Sequence, residues 1–268
     1  MSNSLRILWW MIIALMLGAS AVRADELKDL AGQAMDLSGT RETLQGLGKN
    51  MDAQMAADPR VVELSPEQRK GFMVVLKNAL DGNRMAGEIT TALVATGDRD
   101  RLRTAVAAMR DPVYLKVMHR VVAEDLNSTK GAVDAYVAGF QKNPPDKRRV
   151  QLIGRLDFAT AGSRTLAQTR YETARKVLGP KLAEADREAK LAKLREQFDA
   201  TAPNEYLMQN LYITRNIDVK DLERFVHTQE DEAMQWLARQ LGQGVQHSIL
   251  GALDQMNAKL QQLGAQKH

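Results

Sequence analysis

Cysteine is absent from this chain of 268 residues. That excludes disulfides, thiol catalysis and zinc–thiolate sites, and leaves packed helices to stabilise the fold in place of covalent staples. Aromatic residues make up only 5%. Trp9 and Trp10 fall in the N-terminal apolar segment, so Trp236 is the only tryptophan beyond it. Sugar sites are commonly lined with Trp and Tyr, and this scarcity argues against one. A dominant charge is missing too: 37 Lys and Arg stand against 33 Asp and Glu, and omitting Arg6 and Arg23 leaves 35 against 33. The two signs are interleaved, as from Lys181 to Glu196. A nucleic-acid binder concentrates its basic residues on one face, so these charges read as solvated helix surface and no nucleic-acid partner is expected. No His-Glu-x-x-His zinc motif, Gly-x-Ser-x-Gly elbow or phosphate loop occurs.

The first residues have the order that signal peptidase reads. Arg6 gives a positive start, Ile7–Leu17 an apolar run, and Val22 and Ala24 the small residues before a cut at Asp25. The expectation is a signal peptide over 1–24, cleaved after Ala24, and a periplasmic or secreted mature chain of 244 residues. The uncharged run, Ile7–Val22, is 16 residues, shorter than the roughly 20 that span a bilayer. A short uncleaved anchor is the alternative; a lipid-modified cysteine is excluded.

Beyond the signal, apolar residues recur with helical spacing and no period-2 strand stands out. Ser65-Pro66-Glu67-Gln68 combines a cap, a first-turn proline and a capping box. Phe72, Val75, Leu76, Ala79 and Leu80 then form one stripe, which Asp81-Gly82-Asn83 is expected to end. A helix from about Arg84 to Thr96 stops at Gly97, Asp98 caps the next, and Asp111-Pro112 opens another. Asn143-Pro144-Pro145 breaks the chain. Gly179-Pro180 breaks it again, a long charged helix follows, and Pro203 is expected to start a new helix. Asp218 caps a further one. Asp231–Leu263 is helical, with interruptions expected at Gly242, Gly244 and Gly251. Gly242-Gln243-Gly244 follows no strand, so it is no nucleotide turn.

The fold class expected is all-α, a helical bundle of two related halves, 25–142 and 146–268. Asp98-x-x-x-Leu102-x-x-x-Val106 followed by Asp111 recurs 120 residues later as Asp218, Leu222, Val226 and Asp231. Leu30-Ala31-Gly32 matches Leu152-Ile153-Gly154 at an offset of 122. Gly39-Thr40-Arg41 and Gly162-Ser163-Arg164 follow them.

On Asp218, Leu222 and Phe225, with Leu30–Gly39 and Leu152–Gly162 as looser matches, the second half, 146–268, resembles the exported bacterial family called domain of unknown function 2059. The first half has Ala105 where the second has Phe225. The family's Phe-Tyr-x-Ser-Pro-x-Gly continuation is replaced by Phe225-Val226-His227-Thr228-Gln229. The resemblance implies an exported helical domain and carries no catalytic residues to transfer.

The one constellation with chemical potential is Glu223, His227, Glu230 and Asp231. Residues i and i+4 share a helix face, and carboxylates beside an imidazole can bind metal or exchange protons. Helical di-metal sites, however, repeat Glu-x-x-His on several helices, whereas Glu-x-x-x-His appears here once. A charged helix end is the plainer reading, and no catalytic, cofactor-binding or metal residue is assigned; no cofactor is expected. The ten methionines beyond the signal read as core filling. The leading expectation is a non-enzymatic interaction or binding module of the cell envelope, with an envelope protein as one partner class. The alternatives are a carrier of an apolar ligand in a cavity between the halves, and a hydrolase or metal-dependent enzyme using the Glu223–His227 region.

Overall fold

Local capping chemistry sets most helix boundaries in the computed structural model of the protein. It describes residues 25–47 and 65–265, without the side chains of 181 and 259–265; the expected signal segment and its cleavage site before Asp25 lie outside the described residues. Two helices open the described chain, α1 (25–37) and α2 (40–47). In α3 (Pro66–Ala79) the Ser65 side chain accepts from the Gln68 amide and the Gln68 side chain accepts from the Ser65 amide, a complete capping box. Then come α4 (Gly82–Ala95), α5 (Arg99–Met109), α6 (Pro112–Leu126) and α7 (Lys130–Ala138), capped by Asp81, Asp98, Asp111 and Thr129. Past the Pro144-Pro145 break, Asp146 caps α8 (Lys147–Thr160), which is followed by α9 (Gly162–Leu178), α10 (Glu184–Ile213), α11 (Val219–Gln229) and α12 (Glu232–Ala265). The described residues contain no strand, so the chain is an all-α bundle.

One local expectation is met and extended, and two fail. Asp81-Gly82-Asn83 does not merely end α3: Asp81 accepts from the Asn83 and Arg84 amides and starts α4. Gly82 packs onto α2, where an added Cβ would lie 2.4 Å from the Leu44 carbonyl oxygen. Pro203 opens no helix but sits inside α10. It is exposed, as is Asp199, whose carbonyl loses the amide partner a proline lacks and stays open to water. Nor do the glycines interrupt α12; Gly244 is a contact point, where a Cβ would come within 3.0 Å of Ile89 on α4.

One apolar core runs through both parts of the chain, from Leu30 and Met35 through Leu102 and Met109 to Leu152, Leu222 and Trp236. A smaller cluster joins Leu76, Ala79 and Leu80 of α3 to Ala252 of α12. Helix α12 packs against α3, α4, α5, α8 and α9.

The same contacts recur along the chain. Helices α5 and α11 have equal length and bury the same four positions: Leu102, Ala105, Val106 and Met109, and 120 residues on, Leu222, Phe225, Val226 and Gln229. In α1, Leu30, Ala31 and Ala34 are buried; in α8, 122 residues on, so are Leu152, Ile153 and Leu156. The polar rim follows the register with the charges exchanged. Arg103 of α5 donates to Glu26 of α1, and Arg148 of α8 donates to Glu223 of α11. Arg110 donates to Gln33 at 2.7 Å, and Arg155 holds Glu230 through two bonds of 2.7 and 2.6 Å. Across the molecule α5 packs on α12 while α11 packs on α6, with Arg101–Glu232 at 3.3 Å and Lys116–Asp221 at 2.6 Å. Arg101 and Asp221 are themselves 120 residues apart.

Candidate functional site

The Glu223, His227, Glu230 and Asp231 constellation does not assemble into a reactive centre. Glu223 is engaged by Arg148. The paired bonds from Arg155 hold the Glu230 carboxyl below the usual carboxylate range, with smaller help from His227. Asp231 accepts from the Ala233 amide at 2.8 Å and so starts α12. His227 is 84% exposed, its Nδ1 lying 3.7 Å from Glu230. His119 and His247 are exposed elsewhere. Among the described residues no group of three or more His, Asp or Glu could hold a metal ion.

His227, Thr228 and Asp231 nevertheless line one wall of an open groove of about 540 Å³. Ala107, Ala108 and Asp111, each 120 residues earlier, line the other wall beside Arg110. The groove therefore lies where equivalent ends of α5 and α11 meet. Asp111 is already satisfied: it accepts from the Tyr114 and Val113 amides and from Arg224 at 3.1 Å. The Tyr114 amide bond, reinforced by the Val113 amide and Arg224, holds its carboxyl below the ordinary value. The groove is open, and its carboxylates are spent on structure.

A second space has a different character. It is a crevice of about 330 Å³ between α8, α9, α10, α11 and α12, touched from the first part of the chain only by Val121 of α6. Leu156 and Phe225 supply apolar walls, Ala238 and Gly242 of α12 keep one side low, and no charged side chain lines it. Its mouth is shaped by the turn from α8 to α9. Ala161 adopts φ 52°, ψ 35° there, a left-handed conformation that L-residues other than glycine rarely take. The Ser163 amide donates to Asp157 at 2.7 Å and ties the turn down. Gly162 is required beside it, because a Cβ would fall 2.1 Å from the Tyr206 ring.

Tyr206, Asn210 and Thr214 present the polar edge of α10 at i, i+4, i+8. Thr160 donates to the Leu156 carbonyl at 2.9 Å, so the Tyr206 hydroxyl donates to Thr160 at 3.4 Å. Burial pushes the Tyr206 phenol up to about 12, so it stays neutral. The Asn210 Nδ2 donates to the Tyr206 carbonyl and Thr214 donates to that of Asn210. Gln229, at the crevice floor, donates to the buried Tyr114 hydroxyl at 3.4 Å, and burial raises the Tyr114 pKa as well. Arg149 closes the far end of α10 by donating to the Thr214 carbonyl and, at 2.7 Å, to that of Ile217. The arrangement can hold an uncharged molecule and orient it by a few neutral hydrogen-bonding atoms. No charged side chain is among its lining residues.

No sequence motif marks this crevice. Two signals were present: polar residues at Tyr206, Asn210 and Thr214 along one face of a helix, and the small pair Ala238 and Gly242 at i, i+4 along another. Comparison of the chain with protein families, with curated proteins and with solved structures finds no match. No described helix is long and apolar enough to cross a membrane.

Proposed function

We propose that this chain is an exported, non-enzymatic binding protein built from two related helical halves, and that it holds a small, mainly apolar ligand in the crevice beneath Tyr206. The observation that carries the reading is the crevice itself: about 330 Å³, walled by Leu156 and Phe225 and free of charged lining. Ligand sites are concave, mostly apolar and provided with a few convergent polar groups. The halves are supported by the matching salt bridges and buried positions of α1 with α5 and of α8 with α11. Export rests on the n-, h- and c-regions before Asp25, and membership in the family called domain of unknown function 2059 rests on Asp218, Leu222 and Phe225.

The test is native mass spectrometry of the protein purified from the envelope of its own host without detergent. The expected species starts at Asp25 and carries one equivalent of an uncharged small molecule that is released unchanged by organic solvent. An intact Met1 terminus refutes the export reading. Uniformly ligand-free protein that also fails to take up neutral hydrophobic probes refutes the carrier reading and favours docking to an envelope protein.

A further inference from the structure

The two halves differ most informatively at the crevice. In the first half the α1–α2 turn is Gly39, at φ 69°. It is covered from α6: a Cβ on Gly39 would lie 2.3 Å from the Val122 methyl and 3.5 Å from the Met118 sulfur. In the second half the corresponding turn residue, 122 positions on, is Ala161, also left-handed. The α12 residues 120 positions on from Met118 and Val122 are Ala238 and Gly242, and both line the crevice. A methionine and a valine that plug the first half are thus replaced by an alanine and a glycine in the second. The apolar wall changes the other way. Ala34 and Ala105 correspond to Leu156 and Phe225, so the second half fills that wall and opens the α12 side. Protein interiors are close-packed and leave few voids, and here the space is relocated to one wall, beside a polar edge.

That wall also carries unmet hydrogen-bonding capacity. The Thr165 hydroxyl lies where a Gly242 Cβ would be 3.5 Å away. The Thr165 amide donates to the Ala161 carbonyl, and the Thr165 hydroxyl has no hydrogen-bond partner among the described residues. The Asn210 amide uses its nitrogen on the Tyr206 carbonyl, and its oxygen has no partner among the described residues. These are a hydroxyl and a carbonyl-type acceptor, not ions.

We infer that Ala238 and Gly242 are the specificity-determining residues of the crevice. They admit an uncharged, apolar molecule bearing a hydroxyl or amide that bonds to Asn210 and Thr165, and the first half is a plugged copy of the same site. The inference rests on the carrier reading above. A charged head group is disfavoured because no opposite charge lines the space, and desolvating an unpaired ion is far costlier than desolvating a hydroxyl. An apolar body is favoured because Leu156, Phe225 and Val121 offer nothing else.

The experiment is a fluorescence titration of the whole mature chain with N-phenyl-1-naphthylamine, a neutral probe, repeated with A238M/G242V, which restores the first half's packing, and with G242A. Wild type should saturate at one equivalent, G242A should bind several-fold more weakly, and the double variant at least tenfold more weakly. Helical circular dichroism should persist in both, since replacing a helical glycine adds helix propensity. 1-Decanol should displace the probe at lower concentration than either decanoate or decyltrimethylammonium. If wild type takes up no probe, the carrier reading itself fails. If wild type binds but G242A and the double variant bind equally well, the carrier reading stands and the assignment of Ala238 and Gly242 is overturned. Should the double variant not fold, G242A decides alone. Equal displacement by decanoate overturns the requirement for an uncharged ligand.

Discussion

Replacing Ala161 by Gly should stabilise the protein, whereas the reverse exchange at Gly39 should harm it. Both residues are left-handed, at φ 52° and 69°, Ala161 between α8 and α9 and Gly39 between α1 and α2. A left-handed L-residue costs about 1–2 kcal/mol. Glycine removes that strain but raises the entropy of the unfolded chain by about 0.4–1 kcal/mol. Ala161→Gly should therefore gain about 0.5 kcal/mol. Gly39→Ala incurs the left-handed cost and also drives a Cβ to 2.3 Å from Val122, an overpacking that costs about 1–3 kcal/mol. Less the entropic return, the loss is about 1–5 kcal/mol. The assay is urea denaturation followed by circular dichroism, reading the midpoint at unchanged slope, because a changed slope would signal a different unfolded or native state. Adding Val122→Ala to Gly39→Ala should recover part of the loss by removing the methyl that clashes. The reasoning is refuted if Ala161→Gly destabilises the protein, or if Gly39→Ala costs less than about 1 kcal/mol on the same scale.

Leu102→Ala and Leu222→Ala should each cost about 2–5 kcal/mol in the same titration, since both side chains are fully buried; a cost below about 1 kcal/mol at either would deny it a place in the core. Asp125→Asn should stabilise the protein at neutral pH. Burial raises the Asp125 carboxyl pKa against a weaker opposing bond from Gln209, so ionising it costs stability as pH climbs above the ordinary carboxylate value, and the variant's advantage should vanish in acid. Arg155→Ala should lose about 1 kcal/mol at pH 7. Its bonds hold the Glu230 pKa down, so that contribution is present above the ordinary carboxylate pKa and disappears as pH falls through the lowered value. Parallel stability–pH curves for variant and wild type would contradict it.

Helix boundaries set by short-range chemistry could be read from the chain. Ser65, Asp98, Asp111 and Asp218 cap helices because a side-chain oxygen reaches an amide two or three residues on, a matter of local sequence alone. The α12 glycines misled because their roles depend on residues far along the chain, Ile89 across from Gly244 and Thr165 across from Gly242; Pro203 misled because the Asp199 carbonyl, four residues back, is left open to solvent. The repeated Asp-Leu-Val pattern was visible as spacing. The exchange of charge between Glu26–Arg103 and Arg148–Glu223 was not, since only the packed helices show which residues face each other. His227 shows the converse. Its neighbours looked like a site in sequence, yet Arg148, Arg155 and the α12 amides had already claimed them. The crevice stayed hidden because it is defined by side chains that are missing, at Ala238 and Gly242, and the i, i+4 spacing of two small residues does not by itself say that they face a space.

The long C-terminal helix has a consequence for the order of events in folding. Because α12 supplies contacts to α3, α4, α5, α8 and α9, the earlier helices emerge from synthesis with a large part of their apolar surface unmatched. Ile89 meets Gly244, and Glu88 meets Ser248 at 3.1 Å, only after some 150 residues have been added to the chain. Closing loops of that length raises the entropic barrier before any burial rewards it. Burial of these faces of the earlier helices therefore waits on α12, the segment whose long-range contacts tie them together.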